Sequence, residues 1–196
     1  MEDSAKVAVL VSGGGTNLQA LIDKIREGRL EEAKIVKVIS SRPDAFALER
    51  ARKAGIDTAV AAEQDEVLKE LKASGADIVV LAGYMKVLPP EIIESYRNRI
   101  INIHPSLIPK YCGKGFYGMR VHRAVIEAGE KESGATVHYV DEGVDTGKII
   151  LQRRVPVIEG DTPETLAARV LETEHEILAE GLKEVIKNIK KDEGGK

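Results

Sequence analysis

Short apolar runs rich in valine and isoleucine alternate along the chain with longer segments of helical periodicity. Residues 6–11, 34–40 and 78–82 are such runs, and each is followed by a segment in which apolar residues recur every three or four positions. This alternation is typical of βα units, whose parallel strands are buried on both faces. It predicts a single α/β domain built on a doubly wound, mostly parallel sheet with helices on both faces.

The same patterns predict the approximate bounds of each element. The predicted strands are residues 6–11, 34–40, 57–61, 78–82, 100–103, 135–140 and 148–157. The predicted helices are residues 18–27, 45–54, 66–74, 90–97, 121–128 and 163–188, the last capped by Thr162. Residues 106–120 are rich in glycine and lack periodicity, which indicates a long loop of the kind that often carries function. We expect one domain over residues 1–189 and a frayed tail over residues 190–196.

Composition excludes several classes of protein. The 196 residues include 29 Lys+Arg and 32 Asp+Glu, a formal net charge of −3, and no basic stripe that would indicate a nucleic-acid partner. The single cysteine, Cys112, cannot form an internal disulfide. No apolar run approaches the roughly 18 residues of a membrane span. We therefore expect a cytoplasmic protein with neither a membrane nor a nucleic-acid partner.

A glycine-rich segment, Ser-Gly-Gly-Gly-Thr-Asn at residues 12–17, lies between a predicted strand and a predicted helix. Free amides and the helix dipole at such a junction favour a phosphate. The segment lacks the Lys-Ser/Thr of a P-loop, and Leu18 stands where the dinucleotide fingerprint has its third glycine. The second strand ends in Ser-Ser-Arg instead of an acidic residue, which leaves NADP open. The glycines can also serve only a tight turn.

Polar residues at the end of the fifth strand form a second candidate site. Asn102 and His104 alternate along the strand, so their side chains are expected on the same side. An amide and a protonated imidazole suit a developing oxyanion. Asp141, Glu142 and Asp145 follow another strand, and a carboxylate beside His104 would raise the pKa of the imidazole. The alternatives are a buried histidine that binds backbone groups and acidic residues that only form a turn.

The other histidines are interpreted as structural. His122 and His175 lie on predicted helices and His138 on a predicted strand, without the spacing of an HExxH or CxxC metal site. We therefore expect no metal. A hydrolytic triad of Ser106, His104 and Asp145 is disfavoured, because the chain has no Gly-x-Ser-x-Gly elbow around a nucleophile.

Several motifs, in order between about Val7 and His175, resemble those of the phosphoribosylglycinamide formyltransferase family. Asn-x-His-Pro-Ser-Leu from Asn102 with a later Asp145 is shared by the wider group that uses 10-formyltetrahydrofolate. The Gly-Thr-Asn loop and Glu174-His175 favour the glycinamide ribonucleotide branch. The matching segments are residues 12–19, 45–52, 81–88, 102–109 and 145–147.

This resemblance implies a formyltransferase domain over residues 1–189 and assigns roles to individual residues. It implies catalytic roles for Asn102, His104 and Asp145, the last raising the pKa of His104. It implies ribonucleotide binding by Gly14, Gly15, Thr16, Asn17 and Glu174. It implies folate binding by Met85, Lys86, Val87, Leu88, Asn102, Asp141, Glu142, Gly143, Val144 and Asp145. The cosubstrate is then 10-formyltetrahydrofolate, the partners are small-molecule substrates, no metal is needed, and the protein is a monomer or homodimer. Gly15→Val is expected mainly to weaken ribonucleotide binding by crowding the phosphate.

The chain departs from the family pattern in three places. Residues 61–65 replace a longer segment whose arginine contacts the glutamate tail of the folate. Lys86 stands where arginine is common, and a lysine offers a point charge instead of a bidentate fork. Residues 112–120 are longer than in some relatives.

Other functions remain open at this point. The same site could hydrolyse formyltetrahydrofolate, with water in place of the amine. An NADP-dependent reductase and a non-catalytic module that binds nucleotide phosphate are alternatives from other classes.

Overall fold

The computed structural model describes residues 4–194 and contains a seven-stranded sheet in the order β3-β2-β1-β4-β5-β6-β7. The strands β1 to β5 are parallel, and β6 is antiparallel to both β5 and β7. The predicted mostly parallel α/β sheet is therefore confirmed. The strands are β1 (Ala5–Val11), β2 (Ala33–Ser40), β3 (Thr58–Val60), β4 (Ile78–Leu81), β5 (Ile100–His104), β6 (Glu132–Tyr139) and β7 (Ile149–Pro156).

All six predicted helices are present, with small differences at their ends. They are α1 (Thr16–Arg26), α2 (Phe46–Lys53), α3 (Gln64–Ser74), α4 (Pro90–Ser95), α5 (Met119–Glu127) and α6 (Pro163–Gly194). Thr162 caps α6 as predicted, since its hydroxyl accepts a hydrogen bond from the Thr165 amide at 3.3 Å. The helix α6 continues past the expected end near residue 188, because Ile186 and Ile189 still pack on the core. Residues 195 and 196 of the predicted tail lie outside the described residues, and the boundary at residue 189 stays a prediction.

Alternate residues of the central strands enter two separate cores. Val7 and Val9 of β1 pack towards α1, α5 and α6, whereas Ala8 and Leu10 pack towards α3 and α4. All four side chains are fully buried. Because burial of a valine or leucine side chain contributes roughly 1.5–3 kcal/mol, the central strands are held firmly in register. Their ends are therefore well-fixed supports for a site.

The carboxyl ends of β1, β4 and β5 lie at the same edge of the sheet. The chain reverses its direction of strand addition between β1 and β4, and ligands of open α/β sheets bind at such a switch point. The loops that follow β1 and β4 are joined there, since the Met85 amide donates a hydrogen bond to the Ser12 hydroxyl at 2.9 Å. In the part of the chain that the structure describes, no helix is both long and apolar enough to cross a membrane.

Candidate active site

The glycine-rich loop leads directly into α1. Gly15 precedes the helix with a φ of 72°, and the first helical hydrogen bond runs from the Gln19 amide to the Gly15 carbonyl at 2.9 Å. The amides of residues 16–18 precede that bond and are the unsatisfied donors of a helix N-terminus. Gly14 has open space where a Cβ would stand. The loop therefore presents free amides at a helix N-terminus, and its binding of a phosphate stays a prediction.

A basic side chain flanks this loop. The Arg50 guanidinium donates to the Gly14 carbonyl at 2.7 Å and to the Gln19 side chain at 3.2 Å, and it stacks over the Phe46 ring. Arg50 also lines a surface cavity of about 330 Å³ together with Thr16. Sequence reasoning did not single out Arg50, because the fold brings it from α2 to a loop far away in sequence. A positive charge beside free amides suits an anion.

Asn17 and Glu174 meet beside the start of α1, although they are far apart in sequence. The Asn17 amide nitrogen donates to Glu174 Oε2 at 2.7 Å, and both residues are buried. Burial raises the pKa of Glu174 to about 7, although the bond from Asn17 acts in the opposite direction. Asn17 Oδ1 is buried and has no partner among the described residues. It is an acceptor that a donor group on a ligand can satisfy.

The polar cluster at the end of β5 contains the three predicted catalytic residues. Asp145 Oδ1 lies 3.4 Å from the Asn102 amide nitrogen, and Asp145 Oδ2 lies 3.6 Å from His104 Nδ1. These contacts arise because the loop between β6 and β7 folds back across β5. The expectation that Asn102 and His104 point to the same side agrees with their shared neighbour.

Both ring nitrogens of His104 face acceptors. His104 Nε2 lies 2.9 Å from the Tyr111 carbonyl oxygen, and Nδ1 faces Asp145. Burial lowers the pKa of His104, while the Tyr111 carbonyl and the Asp145 charge raise it, and the net shift is downward. Asp145 thus acts on the pKa of His104 in the expected direction, but burial, which the sequence does not reveal, has the larger effect. Desolvation outweighs it because the imidazole is almost fully buried.

His138 also belongs to the cluster, which the sequence analysis missed. It pairs with Asn102 across the antiparallel β5 and β6 strands. Its Nδ1 donates to the Tyr139 carbonyl at 2.8 Å, and its Nε2 lies 3.1 Å from the Asn102 amide nitrogen and 3.5 Å from Asp145 Oδ1. The contact with Nε2 restricts the orientation of the Asn102 amide. Only the antiparallel register, which the sequence patterns did not specify, would have revealed this contact.

Asp145 remains a carboxylate at neutral pH. Burial raises its pKa, but the contact with His138, the charge of His104 and a hydrogen bond from the Gly113 amide at 2.9 Å lower it, and the net shift is downward. Asp145 has a φ of 58°, a conformation that aspartate tolerates better than most residues. The turn thus directs the carboxylate at the end of β5.

A cavity of about 350 Å³, here called the strand-end cavity, opens in front of this cluster. Its lining includes the predicted folate-binding residues Met85, Lys86, Val87, Leu88, Asn102, Asp141, Gly143, Val144 and Asp145. Several of its apolar side chains are exposed to solvent: Met85, Val87, Val144 and Tyr117. The combination of exposed apolar walls and a few polar groups is typical of a ligand site.

Glu142 lies in the same turn as the lining residues Asp141 and Gly143. It is absent from the described lining of the strand-end cavity, and its carboxylate accepts a hydrogen bond from Arg97 at 3.1 Å. Because the turn directs its side chain outward, the structure gives no support for a side-chain contact between Glu142 and a ligand.

The three departures from the family pattern are located around the same cavity. The Lys86 ammonium donates to the carbonyl of Ala62, so the lysine reaches the shortened segment over residues 61–65. Residues 113–118 of the long loop line the cavity wall, including Phe116. Cys112, a free cysteine, donates through Sγ to the Pro109 carbonyl at 3.3 Å.

Comparison with known proteins agrees with this geometry. A protein-family model described as "Formyl transferase" matches residues 5–182. The chain belongs to the formyl transferase family. The formyl transferase fold also appears in the crystal structure of glycinamide ribonucleotide transformylase 1 from Symbiobacterium toebii, with a TM-score of 0.88, 42% identity and coverage of 96% of this chain and 90% of that one.

Curated relatives of this formyl transferase carry related names. Phosphoribosylglycinamide formyltransferase from Haemophilus influenzae is 44% identical over 181 residues, which are 88% of this chain and 82% of the relative. The trifunctional purine biosynthetic protein adenosine-3 from Drosophila pseudoobscura pseudoobscura is 45% identical over 204 residues, which are 95% of this chain and 15% of the relative. The chain thus spans about a seventh of that multifunctional relative, and most of the bacterial one.

The buried Glu174 predicts a pH-dependent stability. Its pKa rises from 4.5 to about 7 on folding, so its contribution is fully present below pH 4.5 and is lost as the pH rises through 7. Since one pKa unit corresponds to about 1.4 kcal/mol, the free energy of unfolding should fall by on the order of 3 kcal/mol relative to Glu174→Gln between pH 4 and pH 8. Urea titrations of both proteins measure this difference. A difference that is the same at both pH values would contradict the prediction.

Proposed function

We propose that this chain transfers the formyl group of 10-formyltetrahydrofolate to the amine of glycinamide ribonucleotide, a step of purine synthesis. The products are formylglycinamide ribonucleotide and tetrahydrofolate. The observation that carries the proposal is the cluster of Asn102, His104 and Asp145 at the strand-end cavity, linked through Ser12 to the phosphate-binding loop. The names of the bacterial relatives support the same reaction.

The ribonucleotide is proposed to bind along α1. Its phosphate would accept hydrogen bonds from the loop over residues 14–17, beside the Arg50 charge. The buried Asn17 Oδ1 and the Glu174 carboxyl would accept from donor groups of the glycinamide or ribose. This arrangement would hold the substrate at both its phosphate and its polar donor groups.

The folate is proposed to bind in the strand-end cavity. Met85, Val87 and Val144 provide apolar surface for a flat ring. Backbone amides and carbonyls of residues 141–145 are available to pair with the polar edge of a pterin. The polar end of the cavity, where Asn102 and His104 lie, would then face the formyl group.

The reaction needs a nucleophilic addition followed by an elimination. The lone pair of the substrate amine forms a bond to the formyl carbon, and the carbonyl electrons move onto the oxygen. When the oxyanion collapses, the bond from carbon to N10 of the folate breaks, N10 takes a proton, and the attacking nitrogen loses one. Holding both substrates together supplies much of the acceleration, because a bimolecular reaction becomes effectively unimolecular.

Asn102 and His104 are proposed to stabilise the oxyanion. The Asn102 amide is a neutral donor, and His104 donates when it is protonated. Burial lowers the pKa of His104 in the protein without substrates. A negative charge that develops beside the ring raises this pKa, so the ring binds its proton more tightly in the transition state. The stabilisation is therefore greater in the transition state than in the ground state. Asp145 favours the charged ring. It also accepts a proton while one passes from the attacking amine nitrogen to N10 of the folate.

The other candidate functions receive less support. Arg42, which would have to meet a 2′-phosphate of NADP, is already paired with Asp44 at 2.7 Å. A formyltetrahydrofolate deformylase from Pseudomonas syringae shares the fold with a TM-score of 0.85, but at 28% identity and with 62% of that chain covered. Small-molecule substrates, a cytoplasmic location, a monomer or homodimer, and catalysis without a metal complete the proposal.

His104→Ala and Asp145→Asn should each lower turnover by roughly 10²- to 10⁴-fold, because their roles are protonic and electrostatic. The measurement follows the absorbance change on deformylation of 10-formyl folate, with and without glycinamide ribonucleotide. Asp57→Asn is the matched control, since Asp57 pairs with Lys37 at the surface. Formyl release without the ribonucleotide would instead identify a hydrolase. Full activity of either variant would contradict the proposed mechanism.

Gly14→Val should raise the KM for the ribonucleotide by about tenfold or more, while the KM for the folate and the melting temperature stay unchanged. A Cβ at Gly14 would meet no atom of the protein within 4 Å apart from its own chain neighbours. Gly15→Val is a less specific test than expected, because Gly15 has a φ of 72° and its Cβ would lie 2.6 Å from that of Ala47. An unchanged KM in Gly14→Val would place the phosphate elsewhere.

A further inference from the structure

The chain beyond β5 turns back towards His104. After His104 it passes through residues 105–110 and brings the Tyr111 carbonyl to 2.9 Å from His104 Nε2. A carbonyl oxygen can only accept a hydrogen bond, so this contact places a proton on Nε2 and fixes the plane of the ring. Nδ1 is thereby left facing Asp145.

The backbone at Tyr111 adopts a conformation that large residues rarely adopt. Its φ is 52°, in the left-handed region, which is strained for an L-residue with a Cβ. Two residues later, the same loop uses a glycine for a positive φ at Gly113. A tyrosine at position 111 therefore needs compensation from its side chain.

The Tyr111 side chain is held at both its ring and its hydroxyl. The hydroxyl donates to Glu130 Oε1 at 3.0 Å. The ring packs against the core shared with α1 and α6, and it meets the Phe116 ring edge-on at 6.0 Å. Glu130 also accepts from the Lys110 ammonium at 2.8 Å. Two successive residues of the loop are thus attached to one carboxylate just beyond α5.

The first part of the loop is braced independently of Glu130. The Ser106 hydroxyl donates to the Lys110 carbonyl at 2.7 Å, and Thr136 Oγ1 donates to the Ser106 carbonyl at 2.6 Å. The Gln152 amide donates to the Ile108 carbonyl at 3.0 Å. Loss of the Tyr111 hydroxyl should therefore change the end of the loop near His104 without unfolding its beginning.

We propose that Tyr111 and Glu130 form a positioning pair for His104, in which the bond from hydroxyl to carboxylate fixes the turn that aims the Tyr111 carbonyl at Nε2. The inference rests on the proposed formyl transfer for its kinetic consequences. Neither residue is among the described residues that line the strand-end cavity. The pair therefore acts through His104 and not by contact with the folate.

The pair should affect turnover rather than substrate binding. Besides the carbonyl, the titratable groups near His104 are Asp145, His138 on β6 and His122 on α5. If the carbonyl moves away, one acceptor for the protonated ring is lost and the ring can rotate from its productive orientation. The KM values should stay nearly constant because the walls of the cavity are unchanged.

The kinetic test compares Tyr111→Phe, which keeps the ring and removes only the hydroxyl, with substitutions of Glu130. Tyr111→Phe and Glu130→Ala should each lower kcat by about tenfold with KM values within about twofold, and the double variant should be no worse than either. Glu130→Gln should restore most activity, because its amide oxygen still accepts from the hydroxyl. Lys110→Met, which removes only the ion pair, and Tyr96→Phe, a buried tyrosine at the end of α4, should match wild type.

A second readout does not depend on activity. The Tyr111 carbonyl raises the pKa of His104, so an NMR titration of the imidazole should show a lower pKa in Tyr111→Phe than in wild type. The alkaline limb of the kcat profile should move to lower pH in parallel. Wild-type kcat and an unchanged pKa of His104 in Tyr111→Phe would overturn the inference, as would a lower melting temperature as the sole effect. Absence of formyl transfer by the wild type would refute the proposed function. The NMR titration would still show whether Tyr111 and Glu130 position His104.

Discussion

The carboxylate of Asp145 contacts groups from three separate parts of the chain. It lies 3.4 Å from Asn102 and 3.6 Å from His104 on β5, 3.5 Å from His138 on β6, and it accepts from the Gly113 amide at 2.9 Å. A buried charge is costly unless such partners surround it. The position of this one group therefore determines how the long loop, the antiparallel strand and the end of β5 come together.

A buried serine connects the two regions proposed to bind the substrates. The Ser12 hydroxyl lies 2.6 Å from the Ser41 hydroxyl and accepts from the Met85 amide at 2.9 Å. It thereby joins the glycine-rich loop after β1 to the cavity wall after β4. Because residues 7–11 of β1 and all of β4 are buried, a displacement on one side is resisted by the packing of the sheet. This rigidity suits a reaction that depends on holding two substrates in fixed relative positions.

Much of the fold could be predicted from local patterns, since buried parallel strands and amphipathic helices have distinct periods. Asn102 and His104 could be placed together because alternation along one strand is a local property. His138 could not, because its approach to Asn102 depends on an antiparallel register between strands separated by a long loop. The upward effect of Asp145 on the pKa of His104 could be inferred from the sequence, but the larger downward effect of burial could not, because burial is a property of the assembled core. Tyr111 escaped notice because its backbone carbonyl, and not its side chain, contacts the imidazole.

The most direct test of this account is the pKa of His104 in Asp145→Asn, measured by NMR titration of the imidazole and compared with wild type. Asparagine keeps the shape of the side chain and removes its charge. If Asp145 favours the protonated ring against the desolvation of the site, the pKa of His104 should be lower in the variant than in wild type. An equal or higher pKa in the variant would contradict the central role of this carboxylate.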